Sequence, residues 1–184
     1  MSEIFPTRIR PKAVALTTTF LWITIYSGAQ LFPIMTGWRK DLIGSPGGVF
    51  KSTDEGSTTA DINQDLNNFV PVHSIALPSD FGPGNPAVYI GTDTGGVWHS
   101  PDGGASWQPI NQWLTGWGTA NFVEETPTFT TDRTVYVGTE EGGIFKSTDK
   151  GATWERLVNT PDFPRTLAIS PDFRDDRSMY AGSF

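Results

Sequence analysis

Three aspartates recur inside the same short phrase, and they are the first candidates for chemistry. Asp54, Asp102 and Asp149 each occupy the third position of the pattern Ser-x-Asp-x-Gly. Such a residue could act as a general acid or as a calcium ligand, but a calcium loop needs several oxygen ligands at close spacing. Each phrase offers one such aspartate in a glycine-rich turn. We therefore predict a structural role, in which the aspartate accepts hydrogen bonds from backbone N–H groups of its turn and serine or threonine hydroxyls add more.

Two adjacent pairs of glutamates are a second set of candidates, because many glycosidases need only two carboxylates at a suitable separation. The pairs are Glu124–Glu125 and Glu140–Glu141. Acidic residues in loops are usually only solvated, so the pairs do not by themselves indicate an enzyme. The chain has two histidines and no cysteine, which leaves too few ligands for a metal centre of that kind. The sequence predicts no metal and no cofactor.

The spacing of the phrases indicates the elements that must position these residues. Their serines are Ser52, Ser100 and Ser147, at intervals of 48 and 47 residues. In the second unit four short apolar runs, residues 74–77, 88–92, 96–100 and 107–110, are separated by turn residues, and no segment keeps a helical period. A four-stranded antiparallel unit of about 40–50 residues is typical of a propeller blade. The sequence therefore predicts an all-β fold made of β-propeller blades.

The repeat divides residues 30–184 into about three blade equivalents. The predicted units are a partial blade 42–62, blades 72–111 and 121–158, and a partial blade 165–184. In the third unit the run ETPTFTTDR, residues 125–133, is expected to supply the first strand, with residues 111–125 as the link between blades. Closed propellers have about 4 to 8 blades, so we expect the chain to be a fragment of a larger propeller. Open blade edges predict self-association.

The phrase Ser-x-Asp-x-Gly-x-Thr-Trp resembles the Asp-box, or BNR repeat, of sialidase-like β-propellers. In that family the box is the turn between the third and fourth strands of a blade, and this resemblance assigns a structural role to the repeated residues. They are Ser52, Asp54, Gly56, Ser100, Asp102, Gly104, Trp107, Ser147, Asp149, Gly151 and Trp154. The first box departs from the pattern because Thr59 replaces the tryptophan, so its turn is expected to be less firmly anchored.

The end of the blades opposite the boxes is the predicted ligand surface. It carries the turns between second and third strands and the links between blades, because an up-and-down meander sends its turns alternately to opposite ends. The candidate ligand-binding residues there are Asp93, Trp113, Trp117, Glu140 and Glu141. Aromatic rings beside carboxylates are typical of sugar-binding surfaces. The alternative is that one or both tryptophans plug the contact between blades.

The first 29 residues have the pattern of a signal peptide. Arg8, Arg10 and Lys12 form a positive segment, an uncharged and mostly apolar stretch follows at residues 13–26, and small residues precede Gln30. The alternatives are an uncleaved anchor or a strand. This pattern predicts a secreted, periplasmic or cell-surface protein without a membrane span in the mature chain. The net charge of −7 and the lack of a basic stripe argue against nucleic acid as a partner.

Together these features predict an exported recognition or scaffold module that binds a glycan or a protein on the face opposite the boxes. The alternative is a fragment of a sialidase-like or other exo-acting glycoside hydrolase, although no complete catalytic set is visible. Assembly of a membrane complex is a further hypothesis that rests on the resemblance alone.

Overall fold

The computed structural model describes residues 32–33, 42–54, 56–66, 70–114 and 118–183, which all belong to the unit Leu31–Phe184. The predicted signal peptide, residues 1–29, and the candidate Trp117 lie outside the described residues. Among the described residues, no helix has the length and apolar character needed to cross a membrane.

The described chain is almost entirely β and forms four antiparallel sheets that follow one another along the sequence. The first sheet contains β1 (Phe32–Pro33), β2 (Leu42–Ser45), β3 (Gly48–Lys51) and β4 (Ala60–Asp61). The second contains β5 (Val72–Ala76), β6 (Val88–Thr92), β7 (Gly96–Ser100) and β8 (Gln108–Pro109). The third contains β9 (Ala120–Glu125), β10 (Val135–Thr139), β11 (Gly143–Ser147) and β12 (Glu155–Arg156). The fourth contains β13 (Pro164–Ile169) and β14 (Met179–Ser183).

Within each sheet every strand pairs with the next one along the chain, so each four-stranded sheet is a simple meander. The turns therefore alternate between two ends. The repeated turns, residues 52–59, 100–107 and 147–154, each join the third strand of a sheet to the fourth. We call the opposite end the distal end: it carries the turns 46–47, 93–95 and 140–142 and the links that follow β4, β8 and β12.

The sheets pack face to face, and the second strands β6 and β10 are buried at every residue. The residues Val-Tyr-Ile and Val-Tyr-Val suit such a strand because β-branched and aromatic side chains fill both faces of a covered sheet. Three apolar clusters fill the interfaces between successive sheets, with Trp98, Phe129 and Phe173 among their large members. Burial between neighbouring sheets, and not within any one of them, holds the described fold together.

The repeat glycines Gly91 and Gly138 are required by close packing. A Cβ added to Gly91 would lie 2.8 Å from the carbonyl oxygen of Ala120, in the first strand of the next sheet. A Cβ at Gly138 would overlap the ring of Phe122 in its own sheet. The glycines recur once per sheet because the first strands approach the second strands at these points.

One expectation about the third sheet is wrong. Its first strand is β9, Ala120–Glu125, and the run ETPTFTTDR instead contains the helical turn α1 (Phe129–Asp132). The link between the second and third sheets is correspondingly shorter, because it ends before Ala120. The turn α2 (Phe173–Asp176) repeats this arrangement after β13. In both turns a phenylalanine is buried and an aspartate accepts hydrogen bonds from nearby serine or threonine hydroxyls, which stabilises a helical turn too short to be stable alone.

Candidate functional site

The three repeated turns share one hydrogen-bonding arrangement. In the third, the hydroxyl of Ser147 donates to Asp149 Oδ1 at 2.7 Å and accepts from the backbone N–H of Gly151 at 2.8 Å. Asp149 also accepts from the backbone N–H of Thr153 at 2.9 Å and from its hydroxyl at 2.6 Å. The first and second turns contain the same bonds. The carboxylate oxygens are thus engaged by their own turn.

These hydrogen bonds lower the pKa of the turn aspartates. The hydroxyl of Thr58 is the main cause at Asp54, and the hydroxyl of Ser106 is the main cause at Asp102. Carboxyls stabilised in the ionised form are poor general acids near neutral pH. The described residues contain no group of three or more acidic or histidine side chains placed to hold a metal ion.

The second and third repeated turns also contact the preceding sheet. The indole N–H of Trp107 donates to the carbonyl oxygen of Ile62 at 2.8 Å, and that of Trp154 donates to Ile110 at 2.7 Å. The side chains of the same two isoleucines lie against the turn glycines, Gly104 and Gly151. Each tryptophan therefore connects its own sheet to the one before it.

The first repeated turn differs in the residue that makes this connection. It has Thr59 in place of tryptophan, and a Cβ added to Gly56 would meet no described atom within 4 Å. Its internal hydrogen bonds are nevertheless those of the other two turns. The tryptophan is therefore associated with docking between sheets, and the serine and aspartate with the shape of the turn.

At the distal end the exposed large apolar side chains include Trp113, which is 66% exposed, and Val158 and Phe163 in the link after β12, whereas Trp98, Trp107 and Trp154 are buried. Trp113 does not plug a contact among the described residues. Its backbone is left-handed, with φ of 70°, a conformation that is rare for a bulky residue. Leu114, which follows it, is buried and fixes the segment to the core.

The segment that presents Trp113 has a counterpart in the first sheet. Residues INQWL at 110–114 correspond to INQDL at 62–66, and Asp65 takes the same left-handed backbone as Trp113, with φ of 71°. Asn111 accepts from the N–H of Val97 at 2.8 Å and donates to the carbonyl of Gly95 at 3.0 Å. Asn63 makes the same two kinds of bond in the first sheet. The same backbone conformation thus carries an aspartate, Asp65, in the first sheet and a tryptophan, Trp113, in the second.

The other candidate distal residues form a polar network around Thr119. The hydroxyl of Thr119 donates to Asp93 Oδ1 at 2.9 Å, and its carbonyl accepts from the N–H of Glu140 at 2.9 Å. Glu140 also pairs with Arg165 at 3.2 Å, with both side chains partly exposed. Glu141 is exposed beside it. The structure therefore connects Asp93 with Glu140 through Thr119, a residue that the sequence did not single out.

A pocket of about 510 Å³ lies where the first strands of three sheets converge, towards the end that carries the repeated turns. We call it the inner-strand pocket. Its lining residues are Ile75, Ala76, Leu77, Pro78, Ser79, Glu124, Glu125, Thr126, Pro127, Leu167, Ala168 and Ile169.

The glutamates of this pocket have unusual environments. Glu124 and Glu125 were expected in a loop, but both belong to β9. Burial, reinforced by the neighbouring carboxyls of Glu124 and Asp80, raises the pKa of Glu125 to about 9. Burial also raises the pKa of Glu124 to about 7, although this residue keeps more contact with solvent. Both oxygens of Glu125 are shielded from solvent and have no hydrogen-bond partner among the described residues.

Two signals in the sequence could have located these features. Val123 precedes the repeat glycine Gly138 by 15 residues, and Leu167 precedes Gly182 by the same number. Since Leu167 belongs to the first strand of its sheet, this spacing places Val123 in the first strand of the third sheet, which is β9. The repeated Ile-Asn-Gln-x-Leu would have identified Asn63 and Asn111 as equivalent. No sequence signal indicated that the carboxyl of Glu125 is buried with no hydrogen-bond partner in the part of the chain that the structure describes.

Comparison with known proteins gives the fold. No protein-family model matches the sequence, and no curated protein matches it either. A crystal structure of an ancestral GH74 enzyme matches 78% of this chain with a TM-score of 0.59 and 21% identity. YCF48 bound to D1 peptide matches 79% with a TM-score of 0.57 and 17% identity.

A third similar structure is the extracellular domain of a putative one-component system from B. thetaiotaomicron, which matches 86% of this chain with a TM-score of 0.56 and 15% identity. The fold is that of a β-propeller. The predicted fold class is therefore confirmed, and the four sheets are propeller blades. The chain spans 20%, 50% and 20% of the lengths of these three structures.

Proposed function

We propose that this protein is an exported recognition propeller that binds a glycan or a partner protein at its distal end. The observation that carries the proposal is the placement of Trp113: a large aromatic side chain, 66% exposed, on a left-handed backbone that a bulky residue rarely adopts. Strained backbone that is retained on a surface is a reason to expect function there. The network of Asp93, Thr119 and Glu140, which also lies at the distal end, supplies polar groups for hydroxyls or backbone amides.

We further propose that the repeated turns are Asp boxes of the sialidase-like type and act only as scaffold. Their carboxylates are engaged by their own turns, which supports this role. The YCF48 structure contains a bound peptide, which favours a protein partner as one of the two ligand classes.

The test is binding to a glycan array and to a peptide array by wild-type protein and two variants. Trp113→Asp installs the residue that the first blade uses on the same backbone, so it should keep the fold while binding falls at least tenfold. Asp65→Asn is the matched control in the first blade and should bind like wild type. Equal binding by Trp113→Asp and wild type would remove the distal end as the ligand surface. Trp117→Ala, in the same link, is measured alongside.

Export has its own test. Expression of the full chain in a bacterium with cell fractionation, followed by mass determination of the exported product, should give a chain that begins near Gln30. Retention of the uncleaved chain in the cytoplasm would contradict the proposal of export.

A second candidate function is glycoside hydrolysis in the inner-strand pocket. The observation that favours it is geometric: two carboxyl-bearing residues, Glu124 and Glu125, line one pocket, and many glycosidases use a pair of carboxylates. A panel of fluorogenic glycosides is the direct assay. Turnover that disappears in Glu124→Gln would favour this candidate, and ligand binding without turnover of any glycoside would favour the recognition module.

A further inference from the structure

The large apolar side chains that remain exposed are concentrated at the distal end. Four such side chains are exposed among the described residues: Trp113, Val158, Phe163 and Tyr180. Three of them lie in the links that follow β8 and β12, and the second of these links carries both Val158, which is 83% exposed, and Phe163, which is 53% exposed. Single exposed apolar residues are normal, but a group of them on one surface is typical of a contact site for another molecule.

Hydrogen bonds join the first link to the turns on either side of it. Asn111, at the start of this link, donates to the carbonyl oxygen of Gly95 at 3.0 Å. At the end of the link, the hydroxyl of Thr119 donates to Asp93, which lies in the same turn as Gly95, at 2.9 Å. The carbonyl of Thr119 accepts from the N–H of Glu140, in the corresponding turn of the third blade, at 2.9 Å.

The second link is attached to that turn of the third blade. Arg156 Nε donates to the carbonyl oxygen of Gly142 at 2.6 Å, and the same guanidinium pairs with Asp162 in the link at 3.3 Å. Where the link ends, the carbonyl of Pro164 accepts from the side-chain amide of Asn121 at 2.9 Å. The two links and the turns between them therefore form one connected surface.

Carboxyl groups dominate the charge of this surface. They include Asp65, Asp93, Glu140, Glu141 and Asp162, whereas the lysines and arginines of the described residues contribute only Arg156 and Arg165 at this end. Both arginines already donate to oxygens of the surface itself. A carboxylate has about four acceptor positions, so those in the pairs can accept further hydrogen bonds. The surface therefore favours a ligand that brings donors and positive charge.

We infer that the distal end binds a segment of a partner protein that carries both apolar side chains and lysine or arginine. This inference rests on the proposed function and selects the protein class of ligand over the glycan. The apolar side chains of the segment pack on Trp113, Val158 and Phe163, and its cations pair with the surrounding carboxylates. An aromatic ring suits the face of a sugar, but the aliphatic Val158 gains by removal from water against other apolar groups, which a protein supplies.

Two other occupants fit the charge of the surface less well. The carboxylates would repel an anionic membrane surface, and they would also repel the same end of a second copy of this chain. They attract a cationic segment, and salt weakens the attraction between exposed charges. The affinity for the partner segment should therefore fall as the salt concentration rises.

The experiment measures binding of the full chain to an array of random-sequence peptides and then to single labelled peptides by fluorescence anisotropy. The probe alternates leucine with lysine. One matched peptide alternates leucine with glutamate, which reverses the charge, and the other alternates serine with lysine, which removes the apolar side chains. We expect bound array sequences to be enriched in both apolar and basic residues, and the probe to bind about tenfold more tightly than either matched peptide at low salt. Equal binding by either matched peptide, or no binding by any of them, would overturn the inference.

Variants then test the surface. Phe163→Ser should weaken binding of the leucine–lysine probe about tenfold, while Tyr180→Ser, at an exposed aromatic on β14, should leave it unchanged. Val158→Ser repeats the test at a second exposed position. Glu141→Gln should weaken binding about threefold at low salt, while Asp175→Asn, at an exposed acid of α2 at the end that carries the repeated turns, should not. Equal losses in a variant and its control would refute the assignment of the surface.

The outcomes separate this inference from the distal-end proposal. Glycan binding that depends on Trp113, without peptide binding, would overturn the inference and leave the distal end as the ligand surface. Peptide binding that neither Trp113→Asp nor Phe163→Ser weakens would overturn both. Binding to phosphatidylglycerol vesicles, or dimerisation in sedimentation experiments, that Phe163→Ser abolishes would assign the surface to a membrane or to a second copy, and would also overturn the inference.

Discussion

Substitution of Gly151 by alanine tests whether the repeated turns hold successive blades together. Gly151 has φ of +88°, and a Cβ there would overlap Cδ1 of Ile110 in the preceding blade and lie 3.3 Å from Cζ2 of Trp154. Gly56, at the same position of the first turn, has φ of +85° but no described atom within 4 Å of its added Cβ. The two substitutions thus impose the same backbone strain and differ in the contact between blades.

The magnitudes follow from this difference. A left-handed backbone costs an alanine about 1–2 kcal/mol relative to glycine, and both variants incur this cost. Overpacking a core contact costs a further ~1–3 kcal/mol, towards the lower end here because Cδ1 is the end of a flexible side chain. We therefore expect Gly151→Ala to lower the free energy of unfolding by about 2–4 kcal/mol and Gly56→Ala by about 1–2 kcal/mol.

The assay is urea denaturation followed by circular dichroism and tryptophan fluorescence. A double-mutant cycle isolates the contact: in an Ile110→Val background, which removes Cδ1, the cost of Gly151→Ala should fall towards that of Gly56→Ala. Equal destabilisation by the two glycine variants in the wild-type background would refute the reasoning. So would an absence of coupling between Gly151 and Ile110.

Three further predictions concern single side chains. The folded pKa of Glu125 is about 9, above its unfolded value, so the folded state retains a proton that the unfolded chain releases, and the free energy of unfolding should fall between pH 4.5 and 9. In urea titrations the difference in free energy of unfolding between Glu125→Gln and wild type should therefore grow in favour of the variant by about 2–3 kcal/mol from pH 5 to pH 7. A difference that stays constant with pH would contradict this. Trp154→Phe removes the hydrogen bond to Ile110 and should cost about 1–2 kcal/mol, whereas Trp113→Phe should cost little; a reversed order would exclude the docking role of Trp154. Because hydrogen bonds lower the pKa of Asp102, its contribution to stability should be present above pH 4 and disappear as the pH falls through its folded pKa. In thermal melts, Asp102→Asn should weaken the dependence of the melting temperature on acid pH. An unchanged dependence would count against a stabilising role of the Asp102 carboxylate.

The fold could be predicted from the sequence because its signals are local. The spacing of Ser52, Ser100 and Ser147 gives the period, and the short β-branched runs between turn residues give strands. The prediction of one element, the first strand of the third sheet, was wrong for a physical reason: that strand is β9. Its sequence ANFVEE ends in two glutamates, which read as a solvated loop, and the run after it contains the apolar Phe129 that the blade interface buries in a helical turn.

The candidate site was less predictable than the fold. The exposure of Trp113 depends on whether a neighbouring blade covers it, and the partner of the Trp154 indole is a carbonyl 44 residues away. Neither can be calculated from a residue's immediate neighbours in the chain.

By itself the sequence determined the β-rich meander and the hydrogen-bonded turns, since a serine and the aspartate two residues later meet within a single turn wherever that turn is placed. Only the tertiary structure decided that Trp107 and Trp154 connect successive blades and that the carboxyl oxygens of Glu125 are buried with no hydrogen-bond partner among the described residues. The physical reason is range: turn hydrogen bonds act over a few residues, whereas burial and the pKa of a carboxyl depend on every blade that packs around it.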